Sequence, residues 1–187
     1  MKGKLIILSG PSGVGKGTVR ETLMNDLDLH LAYSISMTTR SPRNGEIDGV
    51  HYFFVSKERF EKAIEDDELL EYASFVGNYY GTPRNFVNKL LNDGYNVLLE
   101  IEVQGAEQVM KKCPDAITIF MMPPSFEELE KRIRGRRSEP EQIVQQRLEK
   151  ARNEMKLVNN YKFVVTNDIV ENASKKIADI IKSEMNR

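Results

Sequence analysis

The chain has 187 residues, 40 % hydrophobic and 29 % charged, a length that fits one domain or one core with small mobile inserts and can bury a sizeable core. With 27 Lys and Arg against 28 Asp and Glu, the formal net charge of −1 argues against holding nucleic acid by bulk charge. The single cysteine, Cys113, excludes an intramolecular disulfide framework and fits a reducing cytosol, and the short apolar N-terminal run is too brief for a signal peptide or a membrane span.

Residues 4–9 (KLIILS) form a continuous apolar run ending at a glycine-rich turn, which predicts a strand buried on both faces. The next stretch, Gly10-Pro11-Ser12-Gly13-Val14-Gly15-Lys16-Gly17-Thr18, reads as an ATP-binding P-loop because it sits between a predicted strand and a predicted helix. Its glycines let backbone N–H groups turn inward on phosphate oxygens, and the helix N-terminus adds partial positive charge. Lys16 supplies a full charge at the β- and γ-phosphates as the transferred group moves. The usual motif has Ser or Thr directly after the lysine as a magnesium ligand. Here Gly17 takes that position and the hydroxyl comes one residue later, at Thr18.

The following helix is expected to turn Val19, Leu23 and Leu27 inward, at i, i+4 and i+8. Residues 34–54 are polar, punctuated by Gly and Pro, and end in Tyr52-Phe53-Phe54, which predicts short antiparallel strands and loops. Ser56 opens a short helix carrying Phe60 and Ile64. Residues 69–80 look strand-like, with a turn at 81–83; one of Tyr79 and Tyr80 is expected to be a packing residue. A helix from about Arg84 ends at the Asp93-Gly94 stop signal. Residues 96–103 and 116–122 are two more buried strands, the second stopped by Pro123-Pro124. Ser125 and Glu128 form a capping box for the next helix, whose character breaks at Gly135 within the basic run 131–137. A long helix carrying Val144, Leu148, Ala151, Met155 and Val158 follows, then a strand at 162–166 and an amphipathic helix at 172–185 with Ala173, Ile177 and Ile181 inward. The alternation predicts an α/β fold, a P-loop parallel sheet with helices on both faces. Residues 34–82 and 124–155 fit that alternation poorly and are read as inserts, a mixed-strand insert and a helical lid, on a core of 1–33, 83–123 and 156–187.

A second phosphate site is suggested by Arg40 and Arg43, three apart around Pro42, because arginine forks suit bidentate phosphate binding. From Ser36 through Thr39, Arg40, Pro42, Arg43, Gly45 and Glu46, with Tyr52 six residues on, the segment resembles the GMP-binding stretch of guanylate kinases. The match continues in order through Glu71-Tyr72, Asn78-Tyr79-Tyr80-Gly81-Thr82, Glu100, Glu102, Gln104-Gly105, Arg132, Arg136, Arg147 and Thr166-Asn167-Asp168, nearly the whole chain. The GKGT form of the P-loop is likewise similar to that of several small nucleotide kinases.

The resemblance implies a cytoplasmic, Mg²⁺-dependent enzyme that moves the γ-phosphoryl of ATP to GMP or dGMP. It implies that Arg40, Arg43, Tyr52 and Tyr80 hold the GMP phosphate and that Ser36, Glu71 and Thr82 read guanine, with Glu46 and Glu100 also in the acceptor site. Arg132, Arg136 and Arg147 would close over the ATP phosphates, and Asn167 would lie near adenine. Lys16, Arg40 and the three lid arginines form the implied catalytic set. Glu102 stands where the family often has aspartate and is the candidate for Mg²⁺ or its water shell. The acceptor is already an anion, so the protein's work is alignment and charge neutralisation rather than strong base catalysis. Two alternatives stay open: a kinase for another nucleoside monophosphate, against which Glu71 with Ser36 argues, and a catalytically silent binding module, against which Lys16 argues. The expected partners are small nucleotides, with no nucleic acid and no membrane; a homo-oligomer is left open.

Overall fold

The computed structural model describes residues 2–75, 77–135 and 140–186. In chain order the elements are β1 (Leu5–Ser9), α1 (Lys16–Met24), β2 (Leu31–Tyr33), β3 (Met37–Thr38), β4 (Phe53–Phe54), α2 (Lys57–Glu65), β5 (Leu69–Phe75), β6 (Asn78–Pro83), α3 (Arg84–Asn92), β7 (Asn96–Glu100), α4 (Val103–Lys112), β8 (Ile117–Met122), α5 (Phe126–Gly135), α6 (Glu141–Met155), β9 (Phe163–Thr166) and α7 (Val170–Met185). β1 lies at the centre of a five-stranded sheet in the order β2-β7-β1-β8-β9, and every pairing in it is parallel. Its side chains alternate between two cores. Ile6 and Leu8 pack with Val19, Leu23, Ile177 and Ile181 under α1 and α7. Leu5 and Ile7 pack with Val87, Leu91, Val103 and Val109 under α3 and α4. A strand covered on both faces has no polar alternation, which is why its sequence is an unbroken apolar run.

Two smaller units sit on this core. β4-β3-β6-β5 form a four-stranded mixed sheet whose own core is Met37, Phe60, Ala63 and Leu69. α5 and α6 pack on each other through Leu129, Ile133, Val144, Leu148 and Ala151. Ser56 caps α2 by accepting from the Arg59 N–H at 3.1 Å, and Ser125 accepts from the Glu128 N–H at 3.1 Å at the start of α5. Among the described residues no helix is long and apolar enough to cross a membrane.

The expected α/β architecture, with a parallel core, a mixed sheet and a helical pair, is present, but several local expectations change. α1 stops at Met24, so Leu27 is 84 % exposed. A 3-10 turn, in which Asp26 accepts from the Asp28 N–H, puts Leu29 into the core instead. β3 pairs antiparallel with β6 but parallel with β4, so residues 34–54 are not purely antiparallel. The reversal between β5 and β6 falls at Gly77, and the expected turn at 81–83 is strand. β7 ends at Glu100, and Val103 already belongs to α4, an element the sequence pattern left unassigned, as it did β2. Val158 lies beyond α6 and packs in the α3–α4 core rather than with α5 and α6.

Candidate active site

β1 delivers the chain into the loop at 10–18, and α1 begins at Lys16. The loop is braced from behind by Asn167, whose Nδ2 donates to the Val14 carbonyl at 2.8 Å. Gly15 has φ 98°, and an added Cβ there would lie 2.6 Å from that amide, so both backbone shape and space demand glycine. Lys16 Nζ donates to the carbonyls of Gly10 at 2.6 Å and Pro11 at 3.3 Å. Burial pushes the Lys16 ammonium below its usual pKa, while the carboxylates of Glu100, Glu154 and Glu102 oppose that shift. Above the loop opens a cleft of about 430 Å³, lined by Lys16, Gly17 and Thr18 on one side and Glu100, Glu102 and Glu154 on the other.

A second cleft, about 370 Å³, continues from the first, since Glu100, Ile101 and Glu102 line both. Ser36, Tyr52, Glu71 and Tyr80 line the second. Glu71 is 6 % exposed, and its Oε1 accepts a 2.6 Å hydrogen bond from the Thr82 hydroxyl across the β5–β6 pair. Burial raises the Glu71 pKa, partly offset by Thr82. Its Oε2 occupies the space beside Gly105, where an added Cβ would approach to 2.7 Å. Residue 105 is glycine because the carboxylate passes there.

Arg40 lies beside Tyr52, its guanidinium carbon 5.4 Å from the ring centroid, and Tyr52 meets Tyr80 edge-on at 6.2 Å. The Arg40 fork binds both oxygens of Glu46, at 2.9 and 2.8 Å, and the Arg43 N–H donates to Glu46 at 2.7 Å. The Arg40 fork, followed by that N–H, holds the Glu46 carboxyl at about 2, well below the usual carboxylate range. Glu46 therefore fixes the aim of Arg40. Arg43 points into solvent. Tyr79 stacks on Phe60 inside the small sheet's core, so Tyr80 is the member of the pair that faces the cleft.

From α6, Arg147 Nη2 donates to the Ser12 hydroxyl at 3.2 Å, and from α5, Arg132 Nη1 donates to the carbonyls of Val14 at 3.4 Å and Asn167 at 3.2 Å. Arg136 lies outside the described residues. Asn167 is 3 % exposed, and its side chain braces the loop from behind. Glu102 sits at the N-cap of α4, with its Oε2 2.7 Å from Lys150 Nζ. Thr18 and the carboxylate residues Glu100, Glu102 and Glu154 bring oxygen donors to the cleft over the loop, the donor type a hard ion such as Mg²⁺ takes. Among the described residues no three His, Cys, Asp or Glu cluster as a self-sufficient metal site. Such a set fits an ion that brings its phosphate and water ligands with it.

The site also contains residues that sequence reasoning missed. Arg20 lies 3.4 Å from the Glu100 carboxylate and 4.7 Å from the Tyr33 ring centroid, and it lines a cleft with Ser36, Tyr52 and Tyr80. Its position four residues after Lys16 on a helix puts it one turn along the same face, a signal that was available. Lys150 and Glu154 lie three and seven positions after Arg147 on α6, the same kind of signal.

Residues 2–184 match the family model described as guanylate kinase. A guanylate kinase of Mycoplasma mycoides subsp. mycoides is 59 % identical over 98 % of this chain, which spans 62 % of that relative's length. A guanylate kinase of Latilactobacillus sakei subsp. sakei is 53 % identical over 98 % of this chain and 90 % of its own. The crystal structure of guanylate kinase from Anaplasma phagocytophilum superposes with a TM-score of 0.77 at 33 % identity, covering 100 % of this chain and 88 % of that one.

Proposed function

The chain belongs to the guanylate kinase family, and we propose that it is a cytoplasmic enzyme transferring the γ-phosphoryl group of ATP to GMP or dGMP, giving ADP and GDP. The observation that carries this is the joining of the two clefts at Glu100–Glu102, one opening over the phosphate loop and the other onto a buried carboxylate suited to guanine. In this reading 34–82 is the acceptor insert and 124–155 the lid, on a core of 1–33, 83–123 and 156–187.

The loop from Gly10 to Thr18 cradles the ATP phosphates, with Lys16 leaving its loop carbonyls to meet the β- and γ-oxygens. Arg132 and Arg147, already against the loop backbone and Ser12, turn onto the transferring group, a role the family resemblance extends to Arg136. Arg40, Arg43, Tyr52 and Tyr80 take the GMP phosphate, and Glu46 orients Arg40. The arginines offset repulsion between two anionic substrates, which is the main barrier to their alignment. Glu71 reads guanine, with Thr82 orienting it and Ser36 beside it. Mg²⁺ bound with the nucleotide would add charge neutralisation across the phosphates, near Glu102 and Thr18 and through water. Closure of lid and insert excludes water and limits wasteful ATP hydrolysis.

An ADP-release assay against GMP, dGMP, AMP, CMP and UMP tests the assignment. Turnover with GMP and dGMP far above the others is expected, and equal or faster turnover with AMP would overturn it. A pH dependence follows from Glu71. Its ionised form accepts from guanine, and burial lifts its pKa above the ordinary 4.5. As pH falls from neutral, the carboxyl therefore protonates earlier than an ordinary glutamate and sets a proton against the guanine donors. The KM for GMP is expected to rise on that acid limb while the KM for ATP stays flatter. Parallel pH profiles for both substrates would count against Glu71 as the group responsible.

A further inference from the structure

Lys150 projects from the lid helix α6 into the junction of the two clefts. Its Nζ lies 2.7 Å from Glu102 Oε2 and 3.7 Å from Glu154 Oε1, one turn along the same helix. Glu102 lines both clefts, and Lys150 lines the acceptor cleft that contains Glu71. Glu154 lines the donor cleft, is 7 % exposed, and its Oε2 has no hydrogen-bond partner. A lid ammonium thus stands between the carboxylate at the start of α4 and a buried carboxylate beside the phosphate loop.

We propose that Lys150 is a positioning residue, a built-in counter-cation that competes with the nucleotide-borne divalent ion for Glu102 and so sets how much free metal the enzyme needs. The inference rests on the guanylate kinase reading above, in which Glu102 faces that ion's water shell. The physical case is simple. Glu102 Oε2 is engaged by a unit positive charge at hydrogen-bond distance, so any cation approaching that oxygen must displace the ammonium or bind around it. The same ammonium repels a divalent ion at close range. Both effects have the same sign, so removal of the Lys150 charge strengthens metal binding. The Lys150 side chain is 44 % exposed and Glu102 58 %, so water screens the pair and the effect is modest. Because the pair also ties α6 to α4, metal uptake at Glu102 loosens one tie between lid and core and leaves the Lys150 charge free to approach the phosphates or Glu154.

The test is Mn²⁺ titration of the wild type, Lys150→Met and Lys150→Arg, at saturating non-hydrolysable ATP analogue, with free Mn²⁺ read by electron paramagnetic resonance. Lys150→Met keeps the aliphatic stem and is expected to tighten Mn²⁺ binding about 2- to 5-fold, the range a half-exposed ion pair supplies. Lys150→Arg, which keeps the charge, is expected to stay within error of wild type. Adding Glu102→Gln to Lys150→Met should remove the gain. Unchanged Mn²⁺ affinity in Lys150→Met, or a gain that persists in the Glu102→Gln background, would overturn the proposal. GMP turnover by the wild type, measured separately, tests the parent reading. A Mn²⁺ shift in a protein that does not phosphorylate GMP would remove that reading and keep the competition.

Discussion

Lys16→Met is expected to lower kcat by about 10²-fold or more while leaving the melting temperature close to wild type. The Lys16 ammonium is held inside the loop by two backbone carbonyls, at 2.6 and 3.3 Å, in the position where phosphate oxygens must arrive. Burial lowers its pKa, and three neighbouring carboxylates already oppose that shift. An incoming phosphate adds negative charge to the same side of the balance, so the lysine is charged when it is needed. Methionine preserves an unbranched stem of similar length and removes the charge with the two hydrogen bonds it donates. The lost stabilisation grows as charge spreads over the transferring phosphoryl group, so the loss appears in kcat. Glu100, Glu102 and Glu154 also lose their counter-charge, so the KM for ATP should rise in the same variant. Steady-state kinetics beside a thermal melt separate these effects from unfolding. Near-wild-type turnover in a folded Lys16→Met protein would remove Lys16 from the reaction.

What the sequence made legible is what is local. The loop at 10–18 carries its signal in nine consecutive residues, and its strand and helix flanks are periodic patterns a few turns long. The arginine pair around Pro42 was visible for the same reason, as were the caps at Ser56 and Ser125. What stayed hidden depends on separation along the chain. Lys150 meets Glu102 across 48 positions and Asn167 meets Val14 across 153, and no spacing rule relates such pairs. Leu27 failed because a helical period was continued past the end of the helix, and a short turn put Leu29 into the core instead. The antiparallel expectation for residues 34–54 failed at the β3–β4 pair, which is parallel, because two-residue strands carry too little pattern to show direction. Glu46 shows the limit for site residues. Sequence alone brings it near Arg40, but only the geometry makes it the clamp on that arginine.

Glu71→Gln is expected to cost most of the activity with GMP and little of the affinity for ATP. Guanine's Watson–Crick edge presents N1–H and the exocyclic N2 amine, both donors, and a carboxylate accepts from both. The Glu71 carboxylate is buried and oriented by the Thr82 hydroxyl at 2.6 Å, with Gly105 leaving room for its second oxygen. Adenine presents an acceptor at N1, which would face carboxylate lone pairs with no proton between. A site built on such buried pairing rejects the mismatched analogue by as much as about 10⁴-fold. Glutamine keeps the shape but accepts one guanine donor and sets its NH₂ against the other. Losing one charge-assisted bond and leaving a donor unpaired is worth roughly 3 kcal/mol, or about 10²-fold in kcat/KM for GMP. A thermal melt of the variant beside the wild type separates such a loss from unfolding. The GMP-to-AMP preference should narrow in the variant, since the neutral amide no longer opposes adenine as the carboxylate does. Measurement of kcat/KM for GMP and AMP, with the KM for ATP in the same preparations, decides the matter. A raised KM for ATP with an untouched GMP-to-AMP ratio would mean that Glu71 does not read guanine.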